Sequence, residues 1–216
     1  MLITKNIKIL ELFILGFCFP LLIIHFSLSK YIIFFLWIIF LYTVVIYTIF
    51  YKKKFKIGSF FSIDKKKKNL IFILTRWIIL SITLYYFTKF FFPDKLFSIQ
   101  KNDISLLYKI FIIYPFLSAF PQEFIFCTYF FKRYKSLFPK EKILILLSAI
   151  IFCFAHIFAI NWIAPLLSIF GGFIFANTYK KTNSLLIVTI EHALYGNTLF
   201  YLGLGWFFWG GSVEFK

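Results

Sequence analysis

The chain has 216 residues, 62% of them hydrophobic and 25% aromatic, and its mean hydropathy is +0.89. A water-soluble domain is nearer to half apolar, so this composition excludes an ordinary soluble globule and asks for lipid. The formal charge of +16, from 24 Lys and Arg against 8 Asp and Glu, clusters between apolar runs; that pattern belongs to a cytoplasmic membrane face and argues against nucleic acid as a partner.

Taken in order, the chain reads as an all-α, polytopic transmembrane helix bundle of about eight spans, each needing about 20 mostly apolar residues. Lys5 and Lys8 precede the first run, Ile7 to Phe26. No small-residue cleavage site ends it and further spans follow, so a retained signal-anchor helix is expected. His25, near its outer end, reads as a helix-packing hydrogen bonder. The second span runs from Tyr31 to Tyr51. Between Lys52 and Lys68 follows a linker with eight lysines, a topological anchor that can also hold anionic lipid.

The third span covers Leu70 to Phe92 and stops at Pro93. The fourth run goes from Ile104 to Phe131, and Pro115 and Pro121 are expected to break or kink it, with a fresh segment from Pro121 to about Lys135. The fifth, Ile143 to Ile160, turns at Asn161 and Trp162 into the sixth, which ends near Tyr179 and offers Gly172 and Ala176 as a close-packing pair. A short seventh span, Ser184 to Tyr195, and an eighth ending near Gly210 complete the set. With the lysine-rich loops cytoplasmic, this alternation puts both termini in the cytoplasm. The chain divides into residues 1–103, N-terminal helices with the basic loop, and residues 104–216, a core that carries the chemistry. No repeat of halves, the mark of many transporters, is visible.

That chemistry starts from Glu123, a carboxylate inside an apolar run. An intramembrane ionisable group costs several kcal/mol and reads as functional, with a partner to be found. Two partners of the right kind, His156 and His192, also lie inside apolar runs. Counting rise per residue from the basic edge, Glu123 lies roughly 13 Å deep, His192 roughly 12 Å and His156 roughly 20 Å, differences that helix tilt can close. A carboxylate can act as general base on a water while imidazoles orient that water or hold an oxyanion, so hydrolysis is the chemistry this trio supports. The same trio is also a zinc-type ligand set. The helical His-Glu-x-x-His motif is absent, and Cys18, Cys127 and Cys153 have no metal-like spacing, so no cofactor is implied and zinc stays an open alternative. Glu191, beside His192, points about 100° away and reads either as a supporting partner or as the mate of a lysine.

These segments resemble the CPBP family of intramembrane proteases, relatives of the type II CAAX prenyl proteases and of the Abi-like bacteriocin-processing and immunity membrane proteins. The family's Glu-Glu-x-x-x-Arg matches Gln122-Glu123-Phe124-Ile125-Phe126-Cys127, in a Pro-Gln-Glu form that looks like a variant subgroup. Its Phe-x-x-x-His is met by Phe152 to His156. Its His-x-x-x-Asn corresponds to the stretch from His192 to Asn197, one residue longer, with Gly196 at the expected place. The resemblance covers Ile104 to the C-terminus. It implies an intramembrane endopeptidase acting on a membrane-associated protein, in a bacterial inner membrane, with Glu123 activating water and His156, His192 and Asn197 assisting. Gln122 and Cys127 depart from the motif, the first removing a carboxylate and the second a cation. They favour the alternatives of a silent relative that binds a membrane partner or acts in immunity, with a transporter ranked lower.

Overall fold

The computed structural model describes residues 2–51 and 67–209, and every regular element among them is helical. Seven long helices follow one another: α1 (2–25), α2 (Ile32–Tyr51), α3 (Lys67–Phe91), α4 (Ile104–Tyr134), α5 (Glu141–Phe154), α6 (Ile163–Thr182) and α7 (Leu185–Leu202). Among the described residues six segments are long and apolar enough to cross a membrane, all of these helices but α6, which has the length but carries Asn177, Thr178 and two lysines toward its end. The outer faces of α2 and α3 show why lipid is required: Ile49 and Phe90 stand 66% and 81% exposed. Water would not tolerate so continuous an apolar face, whereas acyl chains cover it without cost. The chain is an integral membrane protein.

The prolines do not divide α4. The chain stays helical from Ile104 to Tyr134 and widens into π-turns at Pro115–Ala119 and Phe124–Tyr129. A wide turn relieves the clash between a proline ring and the preceding carbonyls, which is how a membrane helix absorbs a residue without an N–H. The same device, Ile14–Cys18, precedes Pro20 in α1. Asp103 caps α4 by accepting from the Leu106 N–H at 3.1 Å.

The expected seventh and eighth spans are one helix. α7 starts where the Ser184 side chain accepts from Ile187 N–H, passes through Gly196, and ends at Gly203, whose φ of +87° admits only glycine beside the Lys95 carbonyl. The continuation is the short 3-10 stretch Leu204–Phe208 rather than a span. This moves the C-terminal part of the chain. Phe207 meets Phe92 and accepts from Asn161, while Lys8 at the other end donates to Ser136. Among the described residues, Lys8 lies at the basic end of the bundle and Phe207 at the opposite end. The lysine-rich linker from Lys52 to Lys66 lies outside the described residues.

Two contacts set the core. α5 and α6 pack face to face because a Cβ on Gly172 would come within 3.0 Å of the Ala149 backbone. α1 is pinned to the end of α4 by Glu11, which is buried and accepts from the Arg133 guanidinium at 2.5 Å, from the Tyr134 hydroxyl at 2.8 Å and from Tyr129. A carboxylate at this depth needs such saturation.

Candidate active site

Gln122 and Glu123 occupy the four-residue turn between the two π-turns of α4. Neighbours on a helix diverge by about 100°, so they face different surroundings. Gln122 looks into a half-open cavity of about 1230 Å3; Glu123 is turned into the protein and is 1% exposed. One oxygen of Glu123 accepts the thiol of Cys127, four residues on, at 3.1 Å. The other lies 2.7 Å from His192 Nδ1 on α7. With the carboxylate ionised, Nδ1 carries the proton and donates it, so Nε2 holds the lone pair. The Tyr114 hydroxyl, 2.9 Å away, donates to that Nε2. Phe175 stacks on the imidazole, ring centres 4.5 Å apart and 15° from parallel, which locks its plane.

His156 reaches the same cavity from another direction. α5 ends at Phe154, short of the predicted Ile160, and His156 sits in the turn beyond it with φ −106° and ψ 0°. Its Nδ1 bonds the Phe152 carbonyl at 2.7 Å, leaving Nε2 to face the cavity. The Phe152 ring lies 4.6 Å from His156 and 5.7 Å from His192, so one phenylalanine separates and orients both imidazoles. That is a physical reason for a phenylalanine four residues before the histidine.

The structure thus joins Glu123 to His192 and brings His156 and Gln122 to the cavity they share with Tyr114. It does not place Glu123 or Cys127 on the cavity wall. Gln122 donates to Ser118 at 2.8 Å, while its carbonyl oxygen has no protein partner. Asn197 faces the Phe111 carbonyl at 3.4 Å and does not line the cavity. Gly196 makes no kink; a Cβ there would overlap the Tyr114 ring at 2.2 Å, so the glycine is what lets Tyr114 approach His192. Glu191 pairs with Arg76 of α3 rather than with a lysine.

Tyr114 and Arg76 are the polar groups that sequence reading passed over. Arg76 had a signal, being a cation within an apolar span, which calls for an intramembrane partner. Tyr114 had none, since one tyrosine among 13 carries no pattern.

A zinc ion does not fit these donors. His192 Nε2 is covered by Tyr114, Gln122 is neutral and Glu123 lies behind the imidazole; among the described residues no three His, Cys, Asp or Glu side chains converge on a metal position.

Residues 104–208 match the family model described as type II CAAX prenyl endopeptidase Rce1-like. No curated protein and no solved structure matches the chain. The matched stretch contains both histidines, Glu123 and Tyr114; Arg76 falls outside it.

Proposed function

We propose, for a chain whose residues 104–208 match the Rce1-like family of type II CAAX prenyl endopeptidases, that it hydrolyses a peptide bond of a membrane-associated protein inside the bundle cavity. The observation that carries this reading is the chain of contacts Glu123–His192–Tyr114, which ends at the cavity wall beside His156. Glu123 does not reach the cavity, so it works through His192: it fixes the Nδ1–H tautomer and stabilises the imidazolium that forms. His192 Nε2 is the general base, a role that contributes about 10²–10⁴-fold.

In the reaction, the substrate carbonyl takes over the Tyr114 hydroxyl as its hydrogen-bond donor, which frees Nε2 for a water. The water oxygen attacks the carbonyl carbon and its proton passes to Nε2, with His156 Nε2 accepting the second water hydrogen as an orienting bond. The oxyanion is held by Tyr114. On collapse the carbon–nitrogen bond breaks and His192 returns the proton to the leaving amine. The cavity's apolar walls, including Leu36 of α2 and Leu84 of α3, suit a lipid-embedded segment.

The basic end, with Lys132, Lys135, Lys140, Lys180 and Lys181, is assigned to the cytoplasmic face of a bacterial inner membrane, where anionic lipid meets the lysines. A second reading has an observation of its own. Gln122 puts a neutral amide, with a free carbonyl oxygen, where the cavity would otherwise receive a carboxylate, and this suits a protein that binds a membrane partner without cleaving it.

The deciding experiment compares membrane-protein termini by mass spectrometry in cells carrying the wild type, Glu123→Gln or His192→Gln at matched levels. Termini present with the wild type and lost in both variants are expected, and they identify the substrate. Identical termini in all three would refute the peptidase reading and favour the binding protein.

A further inference from the structure

The cavity is apolar over most of its wall, and the polar atoms it leaves unpartnered share one chemistry. Apart from the two imidazoles, the charged or ionisable acids and bases among its described lining residues are Asp103 and Lys109. Both stand in the first turns of α4, and Lys109 precedes Gln122 by thirteen residues, roughly 20 Å along the helix. The wall around Gln122 therefore offers no cation. It offers acceptors. Gln122 is 8% exposed, donates from Nε2 to Ser118 at 2.8 Å and keeps an Oε1 without a protein partner. His156 Nδ1 meets the Phe152 carbonyl, which only accepts, so Nδ1 holds the proton of the neutral ring and Nε2 is a second lone pair. Nearby hydroxyls are committed, Tyr114 to His192 and Thr43 to the Phe40 carbonyl. Ser168 of α6 keeps an unpartnered hydroxyl, which can donate or accept.

Exposed Ile33 of α2, Ile113 of α4 and Phe170 of α6 also belong to the lining, so an apolar chain passes from lipid into the cavity without leaving apolar surroundings. The polar group on that chain decides whether it stays. A carboxylate at Gln122 would meet lone pairs and no cation, and an anion stranded in an apolar interior is strongly disfavoured. A tertiary amide or an ester only accepts, and leaves Oε1 unmet. A secondary amide brings an N–H, satisfies Oε1 and takes no charge out of water. In a membrane such an N–H is free only where a peptide is locally unwound, because an intact helix bonds its own N–H groups.

We propose that Gln122 is a specificity-determining residue: its Oε1 accepts a backbone N–H from an unwound, lipid-embedded peptide segment, so that the cavity selects an apolar chain bearing a neutral amide with a free N–H and rejects carboxylates. The neutral amide at this position then has a use of its own, as the acceptor that an unwound backbone needs at membrane depth. That the donor belongs to a protein rests on the reading above; the preference for an N–H does not require cleavage.

The test uses the smallest peptide unit on an apolar chain, with the full-length protein in lipid nanodiscs. The probes are dibromostearic acid as its N-methylamide, with one N–H, as its dimethylamide, with none, and as the free carboxylate. Bromine quenches tryptophans that it touches, and Trp206 and Trp209 line the cavity. At pH 7 the N-methylamide is expected to quench saturably, with about tenfold higher affinity than either of the other probes, as one hydrogen bond in an apolar site implies. Gln122→Met keeps the volume and removes a buried unsatisfied oxygen, so it should fold; it should bring the N-methylamide down to the dimethylamide's affinity and leave the latter unchanged. Gln122→Ala gives the same reading should the methionine variant not fold. An acetylated trileucine methylamide should displace the N-methylamide from the wild type; failure to displace it would overturn the assignment to a peptide and leave a fatty amide as the occupant. Equal affinities for the two amides in the wild type overturn the proposal. So does a preference that persists in a folded Gln122 variant, a carboxylate that binds as tightly as the N-methylamide, or quenching by all three probes without saturation. None of these measurements depends on cleavage, so an unchanged set of cellular termini would remove the peptidase reading and leave this result standing.

Discussion

Replacing Gly196 by alanine tests the central geometry of the site with no assumption about its activity. In an ordinary helix interior the change stabilises by about 0.5–1 kcal/mol, because glycine loses more backbone freedom. Here the added Cβ would lie 2.2 Å from one Tyr114 ring carbon and 2.4 Å from its hydroxyl oxygen. Carbon atoms pack at about 3.5–4.0 Å, so the ring must retreat by more than about 1 Å. The Tyr114–His192 bond of 2.9 Å cannot survive that retreat unless α7 shifts too. Overpacking costs about 1–3 kcal/mol and the lost bond about 1 kcal/mol; set against the helix gain, the net loss is about 1–3 kcal/mol.

The assay is equilibrium unfolding by SDS in mixed micelles, followed by the fluorescence of the five tryptophans. The control is the same change in a Tyr114→Ala background, where the clash is gone and Gly196→Ala should be neutral or stabilising by up to about 1 kcal/mol. Gly196→Ala as stable as the wild type would refute the reasoning. So would an undiminished loss in the Tyr114→Ala background, since the cost would then come from elsewhere on α7.

Two further outcomes are expected. Asn197→Ala should leave processing of any identified substrate within about twofold, because Asn197 faces the Phe111 carbonyl away from the cavity and its weak bond is worth about 1 kcal/mol of stability at most; loss of cleavage in that variant would return Asn197 to the reacting groups. Glu11→Gln should destabilise by about 3 kcal/mol in the same SDS titration, because it strands the buried Arg133 guanidinium, while Tyr134→Phe should cost about 1 kcal/mol. A Glu11→Gln protein that unfolds with the wild type would show that α1 is not anchored through this pair.

Membrane insertion, helix content and the identity of the polar groups were legible in the chain, since each depends on local composition: a run of apolar residues must be covered by lipid, and a carboxylate within one must find a partner. Glu123 and His192 are such a case, and they meet at 2.7 Å. Gly172 likewise shows up as a small residue in a close helix contact. The prolines of α4 and the span boundary expected after Tyr195 in α7 misled for one reason. Proline and glycine signal what a backbone can do, and a membrane interior, which forbids unpaired backbone groups, presses the chain to stay helical through wide turns rather than to break.

What a sequence determines by itself here is which residues cannot be left in lipid. Tertiary structure alone decided which way each of them faces. Gln122 and Glu123 are adjacent, but one reaches the cavity and the other stands behind an imidazole, because a single helical step rotates a side chain by about 100°. Arg76 lies 115 positions before Glu191, and no local pattern joins them. Only the packing of α3 on α7 does, and it carries a charge from the N-terminal region to the residue next to His192.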